Sequence, residues 1–427
     1  MRLLISPNAF KNSLTASEAA EAIRKGFLQS RLTCTCECFP VGDGGDGTGD
    51  LIIERLGGRK IEAEARDPFG RRITTYFGLI GSASPAAGSA SDHAVPAAST
   101  SPARSAPLTS PTSPADAPLT NTPPTAVIEM ANASGLRLLD AKELDPLLAL
   151  SYGTGDLVRA ALDNHARRII IGMGGSATVD GGTGILTALG VRFLDESGND
   201  LAALPVSGAS PAMGLPASLT RLARIDTSGL DPRLADCEIT ILCDVDNRLL
   251  GPQGAAAVFG PQKGASPQAV QQLDAGLQRL AEVILQQTGT DLTTLTYGGT
   301  AGGAAAGLHG LLQANLVHGI DYYLSVTGYA DALRGSDWVI TGEGSIDEQT
   351  LQGKGPYGVA RLAKKTGIPV IGLAGKVPPE KSMELKEYFD VLLSINHELQ
   401  SLPDALRTTA ANLTRVAAEI GNLLAQR

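Results

Sequence analysis

The chain has 427 residues, with 35 Lys plus Arg against 44 Asp plus Glu and a formal net charge of −9. At roughly 150 residues per domain this length fits about two to three domains, and 43% hydrophobic residues can offset the ordering entropy, which excludes wholesale disorder. The acidic balance excludes a general nucleic-acid binder, and no run of 18 apolar residues occurs that would make a membrane-spanning helix.

In chain order, "RLLIS" is a run of strand length ended by Pro7 and Asn8. No leader cleavage pattern surrounds it, so a cytoplasmic protein is expected. "TASEAAEAIRKGFLQ" reads as a helix: Thr15 and Glu18 form a capping-box pair, and Ala19, Ile23 and Phe27 recur every four residues. "CTCECFPV" is the next strand, which closes a βαβ unit and implies a parallel sheet. Cys34, Cys36 and Cys38 share one strand face; with Cys237 and Cys243 they make an odd count without a C-x-x-C bite, which reads as buried thiols in a reducing compartment.

"RRITTYFGLIG" and "TAVIEMA" follow as antiparallel strands. Between them, residues 81–125 are nearly all Ala, Ser, Pro, Thr and Gly and hold nine of the 25 prolines, the composition of a flexible insertion. Lengthening a hairpin loop from about 4 to about 45 residues costs only about 2 kcal/mol of closure entropy, so a fold can carry it. A helix, "RRIIIGMGGSATVDGGTG" and the strand "CEITILCDVDN" come next. Late in the chain "DWVIT" is a strand, followed by the loop "GEGSIDEQTLQGKG", a helix through 359–365, and the strands "IPVIGLAG" and "FDVLLSI". A last amphipathic helix starts near 403, with Leu406, Leu413, Val416, Ile420 and Leu424 at helical spacing. The expected fold class is α/β with two α/β domains. A Rossmann-like parallel sheet is built from 1–68 plus 291–427, and a second α/β domain, 69–290, is inserted between and carries the 81–125 excursion.

Five polar loops follow expected strands, where ligands of open α/β sheets bind. They offer Ser6, Asn8 and Lys11; Asp43 and Asp46; Gly174, Gly175, Ser176 and Asp180; Asp244, Asp246 and Asn247; and Glu343, Ser345 and Asp347. Loops without Cβ atoms let backbone N–H groups approach an anion, so "RIIIGMGGS" reads as a phosphate cradle. It is neither a G-x-x-x-x-G-K-[ST] loop nor a G-x-G-x-x-G dinucleotide fingerprint. Carboxylates gathered in one place repel unless a cation joins them; Mg²⁺ takes one or two carboxylates plus phosphate and water, and a remaining carboxylate can orient an attacking hydroxyl. Helix and turn capping accounts for others, Asp46 and Asp347 among them. Lys11, Lys263 and Lys354 can neutralise a phosphate or a substrate carboxylate, while His309 and His318 lie in no motif.

Together these loops resemble the type 1 glycerate kinase family. The matching stretches are "SPNAFKNSLTA", "PVGDGGDGT", "TAVIEMANASGL", "IGMGGSATVDGGTG", "CDVDNRLLGPQGAAAVFGPQKGA", "YGGTAGGAAAG" and "VITGEGSIDEQTLQGKGPYGVA", in family order along nearly the whole chain. The chain departs at Asn8 and Ala9, where the family commonly has Asp and Ser, and at Asp46, where it commonly has Glu. The resemblance implies ATP-dependent phosphorylation of D-glycerate, most often at the 2-hydroxyl, in a cleft between two α/β domains. With it come expected roles: Lys11, Asp43 and Asp180 in catalysis; Ser6, Asn8, Lys263 and Lys354 on the substrate; Gly174, Gly175, Ser176, Gly302 and Gly303 around the nucleotide phosphates; and Asp244, Asp246 and Glu343 on Mg²⁺. Expected partners are D-glycerate and ATP, with no nucleic acid and no membrane. Two alternatives are weighed. One is a phosphohydrolase of haloacid-dehalogenase type using the D-x-D at 244–246, and the other is a non-catalytic nucleotide or sugar-acid binding module.

Overall fold

The computed structural model describes residues 1–81, 123–202, 215–380, 382–398 and 401–426. The insertion expected at 81–125 falls almost wholly outside the described residues. The chain forms β1 (Arg2–Ile5), α1 (Ala16–Gln29), β2 (Thr35–Cys38), α2 (Thr48–Arg55), β3 (Arg59–Arg66), β4 (Arg72–Ile80) and β5 (Thr125–Glu129). Then come β6 (Arg168–Gly172), β7 (Arg192–Leu194), β8 (Arg224–Asp226), β9 (Glu238–Cys243) and β10 (Asn315–His318). β11 (Trp338–Ser345), β12 (Val370–Lys376) and β13 (Val391–Ser394) complete the strands, and the helix Leu402–Leu424 ends the described chain.

The class is mixed α/β, as the pattern indicated. One sheet runs β13-β12-β11-β1-β2, all parallel, and so joins the two ends of the chain. The other runs β10-β9-β6-β5-β4-β3, parallel except for the antiparallel pairs β3–β4 and β4–β5. β7 and β8 form a small ribbon of their own. Counted by sheet membership, the segment between the terminal strands runs wider than the expected 69–290. β3 and β10 pair with β4 and β9, because a tight turn hydrogen-bonded around Asp67 folds β3 back on β4 and the strand Asn315–His318 lies parallel along β9.

The central strands of both sheets are covered on both faces, which is why β1, β5, β6 and β9 are buried along nearly their whole length, whereas the edge strand β3 alternates exposed and covered positions. In β1, Leu3 and Ile5 face α1 and the helix Leu402–Leu424, while Leu4 faces the other way. In β6, Ile169 and Ile171 face an outer layer of helices, while Ile170 faces inward. Leu4, Val339 and Val370 of the first sheet and Val127, Ile170 and Leu242 of the second belong to one buried cluster with Ile52, Ile320 and Val359. That shared layer fixes the sheets against each other and brings the loops after their strands together. At α1, Thr15 accepts from the Glu18 amide and Glu18 accepts from the Thr15 amide, the expected capping box. Among the described residues no helix is long and apolar enough to cross a membrane.

Candidate active site

The loops after β1, β2, β9 and β11 converge at the carboxyl ends of their strands. Asn8, just past β1, donates from Nδ2 to Asp43 Oδ2 at 2.8 Å, and the Gly355 amide donates to the same oxygen at 3.3 Å. Gly355 opens the helix Gly355–Lys365, so Asp43 lies against a helix N-terminus, which favours a carboxylate. A Cβ on Gly45 would lie 3.0 Å from Asp43 Oδ1 and 3.9 Å from Asp244 Oδ2, so the two acids flank this glycine. Gly44 has φ +95° and packs on the Leu242 carbonyl, a backbone shape and closeness that a side chain would disturb.

Burial pushes the Asp244 carboxyl up to about 6, Asp43 adds to this, and Lys11 and Lys263 oppose it. Glu343, at the end of β11 and 7% exposed, accepts from the Thr350 hydroxyl at 2.9 Å. Burial pushes it up to about 7, with Asp43 adding, and Lys354 and Lys11 opposing. Asp43 and Lys11 thus act on both Asp244 and Glu343, which draws these loops into one cluster that Lys354 joins at Glu343. Beside it, a cavity of about 260 Å³ is lined by Asn8, Thr15, Ser17, Asp46, Thr48 and Asp50.

The raised Glu343 pKa gives a testable sign. Its unfolded value is 4.5, so its contribution to stability is full below that and is lost as pH rises through about 7. Glu343→Gln is therefore expected to match the parent in urea unfolding at pH 4. At pH 8 it should be more stable, by on the order of 3 kcal/mol at ~1.4 kcal/mol per pKa unit. Equal stabilities at pH 8 would contradict the buried placement.

Other expected site residues lie differently. Ser6 is fully buried, and its hydroxyl accepts from the Tyr329 hydroxyl at 3.0 Å, which braces the loop after β1 from beneath. Lys263 is 3% exposed and donates to Ser176 Oγ at 2.8 Å and the Thr178 carbonyl at 2.7 Å. Burial lowers its pKa to about 7 against the pull of Asp180 and Asp244. Asp180 is fully buried; Oδ2 accepts from the Ser151 amide, the Ser151 hydroxyl and the Gly184 amide, and Oδ1 from the Gly182 amide. With both oxygens hydrogen-bonded within the chain and no exposure, Asp180 ties Ser151 to the loop 182–184, and its charge favours the charged form of Lys263.

The glycines expected to cradle phosphates are largely occupied with the chain itself. A Cβ on Gly174 would lie 2.4 Å from Gly45 Cα, and one on Gly302 would lie 2.1 Å from the Thr178 carbonyl. The Gly174 amide donates to Gly44 O and the Gly303 amide to Gly299 O. The Gly175 carbonyl accepts from the Leu136 amide. These glycines permit close loop-to-loop packing. Asp246 is exposed, and among the described residues no three His, Cys, Asp or Glu side chains, the expected trio Asp244, Asp246 and Glu343 included, form a metal-holding group. Asp347 caps a turn through the Gln349 amide, as expected, and His309 is bonded to the Ala314 carbonyl. Glu129, at the carboxyl end of β5, escaped notice in the sequence. The available signal is a carboxylate that directly follows the apolar run 126–128.

Parallel strands ending in a shared cluster of acids and lysines define an α/β enzyme. The Glycerate kinase family model matches residues 3–425. The chain is 39% identical over 420 residues to a glycerate kinase of Bacillus subtilis, covering 98% of this chain and 97% of the relative. It is 37% identical over 425 residues to a glycerate 2-kinase of Escherichia coli, covering 100% of this chain and 98% of the relative. A crystal structure described as a glycerate kinase 2 from Salmonella typhimurium LT2 superposes with a TM-score of 0.74 at 38% identity, covering 99% of this chain and 98% of that one. The chain belongs to the glycerate kinase family, and it is a kinase.

Proposed function

We propose that the protein transfers the γ-phosphoryl group of ATP to D-glycerate, with 2-phosphoglycerate as product. The observation that carries the reading is the Asn8–Asp43–Asp244–Glu343 cluster with Lys11 and Lys354 at the strand ends of a family member. A phosphoryl transition state needs positioning and charge neutralisation more than covalent help. Asp43, held by Asn8 and the Gly355 amide, orients the acceptor hydroxyl and takes its proton. The hydroxyl oxygen bonds to the γ-phosphorus as the bond to the β–γ bridging oxygen breaks, and ADP leaves. Lys11 and Lys354 balance the charge on the phosphate oxygens. The position on glycerate follows the name of the Escherichia coli relative.

The Asp244 carboxylate, across Gly45 from Asp43, fits the hard-oxygen environment Mg²⁺ takes beside a nucleotide, so Asp244 would hold it. When bound, Mg²⁺ would neutralise phosphate charge. Glu343, partly protonated near neutral pH, is less suited to that duty than to holding Thr350 and the start of the loop before the helix Gly355–Lys365. The reading is tested by ADP release in the presence of Mg·ATP. It predicts release that depends on D-glycerate, with L-glycerate and glycerol poor substitutes. ADP release that ignores D-glycerate would contradict it.

A further inference from the structure

We propose, resting on the kinase reading above, that Arg137 anchors the carboxylate of the acceptor and that Glu129 receives one of its hydroxyls. Arg137 sits in the 3-10 turn Leu136–Leu138 after β5. Its Nη2 donates to Asn132 Oδ1, and its Nη1 donates to Asp46 Oδ1 at 3.1 Å. Asn132 is 5% exposed and fixed from behind, donating to the Tyr76 carbonyl at 3.2 Å. The turn is bound to the loop that carries Ser176, because the Leu136 amide donates to Gly175 O and the Ala177 amide to Ser134 O. The guanidinium is therefore held in one orientation while half of its side chain stays open to solvent.

Its partner Asp46 is as exposed as it is, at 47% each, so the pair contributes little and is readily exchanged for another carboxylate. Asp46 lies three residues past Asp43 on the same loop, and its carboxylate occupies the place a substrate carboxylate would take. A planar guanidinium meets a carboxylate through two parallel hydrogen bonds, which an ammonium cannot do. Lys263 is no rival for the task, since it is buried and already donates to Ser176 and Thr178.

Glu129 supplies the second observation. It is 5% exposed; Oε1 accepts from the Gly49 amide at 2.6 Å, and Oε2 accepts no hydrogen bond among the described residues. Gly49 makes room for it, because a Cβ there would lie 2.7 Å from Glu129 Cγ. Oε2 is not among the solvent-inaccessible atoms that lack a partner among the described residues, so it keeps an opening to the surface through which a ligand hydroxyl can reach it. The charges around Glu129 are Asp46, Asp50 and Arg137, and Asp50 is already bonded to the Tyr76 hydroxyl and to Lys60. One guanidinium offers a two-pronged match to the one carboxylate of a hydroxy acid and too little positive charge for a triphosphate tail, which points to the hydroxy acid as the occupant.

Steady-state kinetics of the full chain test this. The parent comes first: no transfer to D-glycerate would overturn the kinase reading and the assignment with it. With an active parent, R137M is expected to raise KM for D-glycerate about 10- to 100-fold, as loss of charged hydrogen bonds does, with KM for ATP little changed. R137K, which keeps the charge and loses the fork, should recover part of the loss and also serves if R137M folds poorly. E129Q should raise KM for D-glycerate by a smaller factor. The preference in kcat/KM for D-glycerate over glycerol, which lacks the carboxylate, should shrink in R137M. A near-native KM for D-glycerate in R137M and R137K overturns the assignment, and so does a rise confined to KM for ATP, which would mark a phosphate site instead.

Discussion

Asp43→Asn should cost about a thousandfold in kcat, in the range that loss of a positioned general base produces, while KM for both substrates changes little. The substitution keeps the shape of the side chain and one oxygen for the Asn8 and Gly355 donors, and the contact it loses is the one from the Gly45 amide to Oδ1, 3.2 Å long. What it removes is the charge that receives the acceptor's proton. It also removes a negative neighbour that holds both Asp244 and Glu343 up in pKa. The folded protein should accordingly be as stable as the parent at pH 8, or more so. A near-native turnover would take Asp43 out of the chemistry. A collapsed fold would show that its work is structural.

Asp180→Ala should give the opposite signature, a loss of about 3–5 kcal/mol in unfolding free energy, as for breaking a buried, hydrogen-bonded charge. The amides of Ser151, Gly182 and Gly184 and the Ser151 hydroxyl all lose their acceptor. Lys263 loses the nearby carboxylate that favours its charged form, and with it the restraint on Ser176. Urea unfolding measures the effect. A variant that unfolds like the parent and is impaired only in turnover would return Asp180 to the reacting groups.

Asp43 and Asp180 show where the sequence stops being informative. Each stands in a glycine-rich loop after a strand, and local pattern treats them alike. What separates them is Ser151, which lies 29 residues from Asp180 and closes its two hydrogen bonds from the other side of a loop. Periodicity reports on a residue's own element; it carries nothing about which distant loop supplies a donor. The glycines mislead for the same reason. Gly174 and Gly302 look like a phosphate cradle locally, yet the backbone that approaches them belongs to Gly45 and Thr178.

Where local rules suffice, the sequence is legible. The capping box of Thr15 and Glu18, the parallel terminal strands and the antiparallel pairing of β4 with β5 all follow from periodicity, turn residues and connection length. The extent of the second sheet does not, because nothing local to β3 or β10 says which strand each one joins. Arg137 was hidden too. Its partner Asp46 lies 91 residues away, and nothing in "SGLRLL" announces it.

The most direct measurement is phosphorus NMR of the product made from D-glycerate and Mg·ATP. Transfer to the 2-hydroxyl predicts a phosphomonoester signal split by a single methine proton, growing as the γ-phosphate signal of ATP declines. A signal split by two methylene protons would move the acceptor to the 3-hydroxyl. Inorganic phosphate alone, with no new ester, would contradict phosphoryl transfer by the cluster around Asp43.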